Sequence, residues 1–358
     1  QKDTIVNLMS SIAFHLGKTH TYQPLDIRCK HKKIMLIVID GLGYHHIPKD
    51  TFIYQHIKQK LTSTILSTTS VANTVFLTGY PAQQHGLVGW RMYSKEFGCI
   101  ISPLPFNPTF SKHPLDADGY HIKDIMHIPG FYAKGTYIAS KKFIHSHFNA
   151  YVNKGMRRIA LDSYKQIAEV LPQKATRFTH MYMYEVDQQA HKTGITSKEV
   201  LDIIYTIDTL IQDIVRQVKD TTIIITADHG FLTVQPHKEL WIQDFEQLHE
   251  CLSMPLTGES GFRFCFVKAH KQQQFIQEAQ KYAKFWWCYP SYELLNNNIF
   301  GIGTPHTQLR NRIGDYCLIM KDGYILKDKT FGYKVMKHIG VHGGVSKEEM
   351  EVPLIVIE

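Results

Sequence analysis

The stretch that most limits what this chain can fold into is Thr221-Thr222-Ile223-Ile224-Ile225-Thr226-Ala227-Asp228-His229-Gly230. Its β-branched run shows no alternation of polar and apolar residues, so it predicts a strand buried on both faces, as in a parallel α/β sheet. Asp228 and His229 then leave the sheet at a carboxyl end, where open α/β sheets place their ligand crevice, and Gly230 lets the backbone bend directly after them. A carboxylate beside an imidazole at that place is a candidate metal-ligand pair. The pattern recurs twice: Ile34 to Ile39 runs into Asp40-Gly41, and Met181 to Val186 runs into Asp187, with His191 four residues on. Three strands ending in aspartate would gather three carboxylates on one edge of a parallel sheet. Such a concentration of negative charge calls for cations.

The rest of the chain fits around that sheet. Thr4 to Leu16 predicts a short helix, and Gly41-Leu42-Gly43 a tight strand-to-helix turn. Ser67-Thr68-Thr69-Ser70 lead into apolar positions 71, 72, 75, 76 and 77, a helix N-terminus and a buried helix closed by Gly79. Hydroxyls there are helix caps in the structural reading. In the functional one, the same amides and helix dipole would favour an alkoxide and an incoming phosphate. His85 reads as a structural hydrogen bonder. Residues 100–155, rich in Pro, His, Phe and Gly, read as loops bordering a cleft, and Met156 to Leu171 as a helix. Thr196 with Glu199 forms a capping box for a helix with an apolar stripe from Val200 to Val218, which feeds the 222–227 strand through a right-handed parallel crossover. Residues 235–335 carry short aromatic runs such as 261–267 and turns such as Asn296-Asn297-Asn298, and are expected to form a smaller, partly antiparallel α+β insert within one domain spanning 1–358. Val341-His342-Gly343-Gly344 and a terminal strand, Val352 to Ile357, return to the sheet. The fold class is therefore α/β, with a mostly parallel central sheet, helices on both faces and an inserted α+β subdomain.

The net charge of +8 comes from scattered Lys and Arg, without a compact basic tract, which reads either as a diffuse bias towards phosphorylated substrates or as no specific preference, with nucleic acid behind both. No apolar run approaches the roughly 18 residues that span a bilayer. The opening Gln1-Lys2-Asp3-Thr4 lacks a signal-like apolar core, so the expectation is a soluble protein, either cytoplasmic or exported after signal removal. The 6 cysteines form no Cys-x-x-Cys pair and read as buried free thiols, with one or two disulfides the alternative in an exported protein. No repeat, Walker-type phosphate loop or dinucleotide fingerprint is present.

Taken in order, Ile-Asp-Gly after a strand, Ser-Thr-Thr followed by Thr78-Gly79 and His85-Gly86, Val186-Asp187 with His191, Thr-Ala-Asp-His-Gly, and a late His-Gly-Gly resemble the alkaline phosphatase superfamily. Within it the chain is most similar to the type I phosphodiesterase / nucleotide pyrophosphatase family, over residues 34 to 358. The resemblance implies a site for two divalent metal ions, usually zinc, with manganese or iron tolerated by such ligands. Asp187, His191 and His342 would hold one ion and Asp40, Asp228 and His229 the other. Thr69 would be the nucleophile and would bridge them; it is preferred to Thr68 because it stands nine residues before Thr78, the family's spacing. The charge count agrees, since two divalent ions balance three aspartates and an ionised Thr69.

Two departures bear on substrate. The family's Phe-Pro-Asn after the nucleophile is here Ser70-Val71-Ala72, with Asn73 one position later as a substitute phosphate donor. A second asparagine after the His-Gly is replaced by Gly89-Trp90-Arg91, making Arg91 a candidate contact to a nonbridging oxygen. Trp286 and Trp287 are candidates to stack a flat group, with core packing the expected fate of at least one. The expected activity is hydrolysis of phosphodiester or phosphoanhydride bonds in a small phosphorylated substrate, nucleotides included, through a phospho-threonine. A phosphomonoesterase of the same superfamily is the alternative, and a metal-stabilised binding protein is the reading from another class. A sulfatase is disfavoured, because no Cys or Ser stands in a formylglycine-type context.

Overall fold

A computed structural model of the protein describes residues 3–111, 113–171, 176–329 and 337–358. Its frame is a seven-stranded sheet built from β1 (Lys33–Ile39), β2 (Ile57–Thr62), β3 (Thr136–Ser140), β4 (Arg157–Leu161), β5 (Phe178–Met183), β6 (Thr221–Thr226) and β7 (Glu351–Ile357). The spatial order is β2-β7-β6-β1-β5-β3-β4. Only β7 runs against its neighbours, between β2 and β6. The three central strands β6, β1 and β5 are parallel and end level, with Ile39 opposite Met183 and Val38 opposite Thr226. All six residues of β6 and of β5 are buried, which is why their sequences show no alternation.

Helices α1 (Ile5–His15), α2 (Thr69–Thr78), α3 (Glu185–Thr193) and α4 (Lys198–Gln217) flank the sheet. Every residue of α2 is buried, and Gly79 closes it in the left-handed region at φ 83°. The apolar stripe of α4 buries Val200, Ile204, Ile207, Leu210, Ile211 and Ile214. Its cap is Ser197 rather than Thr196: the Ser197 hydroxyl accepts from the Val200 N–H at 3.3 Å, which moves Glu199 out of the capping-box position.

Three further expectations are corrected. The run at Met181 stops as a strand at Met183, and Asp187 lies in the first turn of α3. The helix expected from Met156 to Leu171 is β4 followed by a 3-10 turn, Tyr164–Gln166, and a one-turn helix, Ile167–Val170. Pairing with β3 overrode helical preference there, and the edge position lets Arg157 and Arg158 face water. The segment 100–155, expected to form loops, contributes β3, the strand next to the β4 edge of the sheet.

Between residues 235 and 329 the chain builds a four-stranded antiparallel sheet in the order Thr257–Glu259, Phe262–Cys265, Tyr316–Met320, Trp286–Pro290, with a helix at Gln272–Lys281. Phe245, Phe275, Trp286 and Leu318 form its own apolar cluster, while Phe262, Phe264, Leu309 and Ile313 join the core of the main sheet. The insert is thereby packed onto the body. Trp286 is core, whereas Trp287 is 43% exposed with the Lys321 ammonium over its ring. Residues 330–335 of the expected insert lie outside the described residues. All six cysteines are free. Among the described residues, no helix is long and apolar enough to cross a membrane.

Candidate active site

The level ends of β6, β1 and β5 bring Asp228, Asp40 and the start of α3 together. The Asp40 N–H donates to the Met183 carbonyl at 2.7 Å and the Asp187 N–H to the Asp40 carbonyl at 3.1 Å, so α3 is seated on the end of β1. Gly41 turns at φ 77°, where a Cβ would meet the Phe231 ring at 2.5 Å, and its N–H donates to Asp228 Oδ1 at 3.1 Å. On α3, Asp187 and His191 are one turn apart and share a face, with His191 Nε2 3.4 Å from Asp187 Oδ1. His342 arrives from the late loop, Nε2 3.6 Å from Asp187 Oδ1. His229 Nε2 stands 3.3 Å from Asp40 Oδ1 and 3.5 Å from Asp228 Oδ2, and its ring stacks on His342 at 3.9 Å. The Thr69 hydroxyl, in the first turn of α2, is 3.2 Å from His229 Nε2 and 3.4 Å from Asp40 Oδ1.

Two sets of ligand-type atoms each lie within 4.8 Å of one another: Asp40, Asp228 and His229, and Asp187, His229 and His342. His229 is common to both. The hydrogen-bonding state of these groups points to cations. His191 Nδ1 faces the Gly340 carbonyl at 2.9 Å, His342 Nδ1 the Ser67 carbonyl at 3.1 Å, and His229 Nδ1 the Gly230 carbonyl at 3.1 Å. A carbonyl only accepts, so each Nδ1 carries the proton and each Nε2 turns a lone pair towards carboxylate oxygens. Asp187 Oδ1 and Asp228 Oδ2 are buried without a hydrogen-bond partner. Lone pairs facing buried carboxylates are repulsive unless a positive ion stands among them. The donor set, imidazole nitrogen with carboxylate oxygen, suits a zinc-like ion, so the cluster is a candidate metal centre.

Electrostatics follow from the burial. Burial, and then Asp187 and Asp228, hold the Asp40 carboxyl well above its usual range, against the hydrogen bond it receives from the Tyr182 hydroxyl. Burial likewise raises Asp228, while His229 pulls it down. Burial lowers His342 well below the usual imidazole value, with His229 and His191 adding to the effect. For His191 burial also acts downward, but Asp187 outweighs it and the net shift is up. Raised carboxyls and a raised His191 mark a cluster with an excess of buried negative charge, which positive charge would relieve.

Asn73 sits one turn along α2 from Thr69, on the same face, buried, with its carbonyl oxygen unpartnered. The Arg91 carbonyl accepts from the Gly258 N–H of the insert at 2.8 Å, and its positive charge acts on Glu259 and His338. Trp287 lies on the outer edge strand of the insert sheet. Three residues near the cluster escaped sequence reasoning. Tyr182 offered a local signal, as a polar-tipped residue near the carboxyl end of a buried strand. His338, four residues before His342, places its ring 4.4 Å from His191, and burial pushes it down to about 4. Glu259 comes from the insert and no local pattern announces it.

The sheet with this cluster at its carboxyl edge belongs to a hydrolase, as the family match shows. The pattern of the type I phosphodiesterase / nucleotide pyrophosphatase family matches residues 34–344, and the chain belongs to that family. Murine ectonucleotide pyrophosphatase / phosphodiesterase 5 shares the fold with a TM-score of 0.65 at 14% identity, over 90% of this chain and 87% of that one. An inactive variant of the murine protein in complex with AMP gives 0.64 at 14% identity, over 90% of this chain and 87% of that one. Phosphonoacetate hydrolase from Sinorhizobium meliloti, in complex with phosphonoformate, gives 0.65 at 16% identity, over 90% of this chain and 89% of that one. No curated protein matches the chain in sequence.

Proposed function

We infer that the chain hydrolyses phosphodiester or phosphoanhydride bonds of small phosphorylated substrates, nucleotides among them, through a phospho-threonine at Thr69. The observation that carries this reading is the placement of the Thr69 hydroxyl within 3.2 to 3.5 Å of His229 and Asp40, beside two unpartnered buried carboxylate oxygens. Asp187, His191 and His342 would hold one divalent ion and Asp40, Asp228 and His229 a second, most consistent with zinc by ligand chemistry. Bound there, such ions supply Lewis acidity, which lowers the pKa of the attacking hydroxyl and stabilises charge on the departing oxygen.

The chain's own residues do the rest. Thr69 Oγ attacks phosphorus as its proton passes to water, the bond to the leaving oxygen breaks and that oxygen takes up a proton from water, and a second water then cleaves the phospho-threonine, releasing the phosphoryl product and restoring the hydroxyl. The first turn of α2 points its amides and dipole at the developing charge. The Asn73 amide, one turn on, and Arg91 are the candidate donors to nonbridging oxygens. We assign 1–358 to one catalytic domain, with 235–335 as a cap inserted in it. The AMP complex of the murine neighbour supports nucleotides as a substrate class.

Purified protein with zinc, assayed on bis-p-nitrophenyl phosphate and p-nitrophenyl phosphate, tests the reading. The diester should be preferred and Thr69→Ala should abolish turnover. Preference for the monoester would make the protein a phosphomonoesterase, and metal binding without hydrolysis of either ester would make it a binder.

A further inference from the structure

We propose that the edge of the main sheet opposite the candidate active site docks on an anionic lipid bilayer, with Phe14 dipped into the interface and the cluster at the carboxyl edge turned away from the lipid. The proposal goes beyond the hydrolase reading and does not depend on it.

The basic residues are scattered along the sequence, but the parallel topology collects many of them where strands begin. Lys33 opens β1 and pairs with Thr221, the first residue of β6, and the Thr221 hydroxyl donates to the Lys219 carbonyl at 3.0 Å. On the other side of β1, the Ile34 N–H donates to the Arg177 carbonyl at 3.0 Å, so Arg177 stands at the entry to β5. Beyond β5 come β3, entered through Lys134 and Gly135, and β4, which opens on Arg157 with its N–H donating to the Gly135 carbonyl at 2.9 Å. Lys219, Lys32, Lys33, Arg177, Lys134 and Arg157 are all exposed. Among the described residues none of them enters an ion pair. Neighbouring strands lie about 4.8 Å apart, so these cations form a row about 20 Å long. Of the acids at this end, Glu358 is taken up by the Lys30 N–H, the Thr222 hydroxyl and His31, and Asp26 and Asp220 have Arg28 and Lys219 close by in the chain. Positive charge stays in excess.

A second feature lies at the same edge. Helix α1 runs down to it: the His15 ring donates to the His31 carbonyl at 2.7 Å, and a Cβ on Gly17 would stand 3.9 Å from the Arg177 guanidinium. Phe14, in the last turn of α1, is 76% exposed, more than any other large apolar side chain among the described residues. The exposed Lys18 ammonium stands 4.6 Å from the centre of the half-buried Tyr132 ring. A single exposed phenyl means little alone. Beside a basic row it makes the pairing that holds a protein to an anionic interface, since charge draws the surface in and the ring enters among the headgroups. Nucleic acid would also meet the cations, but phosphate contacts leave Phe14 in water, whereas a bilayer takes both. The seven residues of β1 separate Lys33 from the carboxyl edge by about 20 Å, so the candidate active site would stay open to soluble substrates.

Vesicle sedimentation of the full chain tests the proposal, with phosphatidylcholine alone against phosphatidylcholine carrying about one third phosphatidylglycerol, at about 0.05 and 0.5 M salt. Binding is expected to the anionic vesicles alone and should vanish at the higher salt. Lys32→Gln/Lys33→Gln/Arg177→Gln should weaken it about a hundredfold, at roughly fivefold per charge. Lys134→Gln/Arg157→Gln/Lys219→Gln should weaken it as much, and serves should the first variant not fold. Phe14→Ser should cost about fivefold without changing the salt dependence. Lys268→Gln/Lys284→Gln/Arg310→Gln removes the same charge from exposed positions of the insert and should bind as wild type does. Absence of binding to anionic vesicles, or equal binding to neutral ones, would overturn the proposal. So would an insert variant that loses as much as the row variants, by making the effect one of net charge. Tighter binding to a DNA duplex than to anionic vesicles, lost in the same row variants, would make the edge a nucleic-acid surface instead.

Discussion

Asp228→Asn should stabilise the protein in chelator and deprive it of stabilisation by zinc. Asp40, Asp228 and His229 offer atoms within 4.8 Å of one another, and two carboxylate charges at that spacing repel by about 3.5 kcal/mol at an effective dielectric of about 20. Asp40 is held well above its usual range, which relieves part of this repulsion, and the expected gain is on the order of 1.5 to 2 kcal/mol. Asn loses little in exchange. Its Oδ1 still accepts from the Gly41 N–H and the His229 N–H, at 3.1 and 3.0 Å in the parent. Its Nδ2 replaces the unpartnered Oδ2 and can donate to His229 Nε2, 3.5 Å away. With an unfolding entropy of about 2.1 cal/mol/K per residue over 358 residues, the gain corresponds to a rise in Tm of about 2 °C. Scanning calorimetry of both proteins in EDTA and in zinc, in mildly alkaline buffer, measures it. A variant that melts below wild type in EDTA, or that gains as much from zinc as wild type does, would refute the electrostatic argument.

The same gap should depend on pH. The folded pKa of Asp228 is raised, so the stability of its protonated form is fully present below the unfolded value of about 4 and is lost as pH rises through the folded value; melts in EDTA should show the Asp228→Asn advantage shrinking in acid. Thr69→Ala should lower kcat by about a thousandfold or more, with Thr69→Ser retaining measurable turnover in steady-state assays. Tyr182→Phe removes the hydrogen bond to Asp40 and should weaken zinc about 10- to 100-fold in competition with a chelating dye, leaving the chelated Tm close to that of wild type. Gly343→Ala, at φ 101° and against Glu259, should destabilise by at least about 2 kcal/mol, seen as an earlier urea midpoint.

What the sequence made legible was local and central. Ile34 to Ile39 and Thr221 to Thr226 are buried on both faces, so burial wrote an unbroken apolar run, and the polar residues that end each run mark the ligand edge. Asp187 and His191 were readable because helical spacing fixes their shared face. Arg157 to Leu161 was misread, since an edge strand is held by one neighbour and looks polar. Glu259 was invisible for a different reason. Its position depends on a hairpin packing against loops some 80 to 170 residues away in the chain, at Gly343 and at Trp90, and no spacing rule spans that distance.

The antiparallel β7 has a consequence for biosynthesis. It is made after every other strand of the main sheet, yet it lies inside the sheet, hydrogen-bonded to β2 on one side and β6 on the other. Until residues 351–357 clear the ribosome, β6 presents a bare edge of Thr and Ile and the sheet cannot close. Nascent chains must therefore wait, in a state prone to pair with one another, and chaperone demand during translation should fall sharply once this last segment emerges.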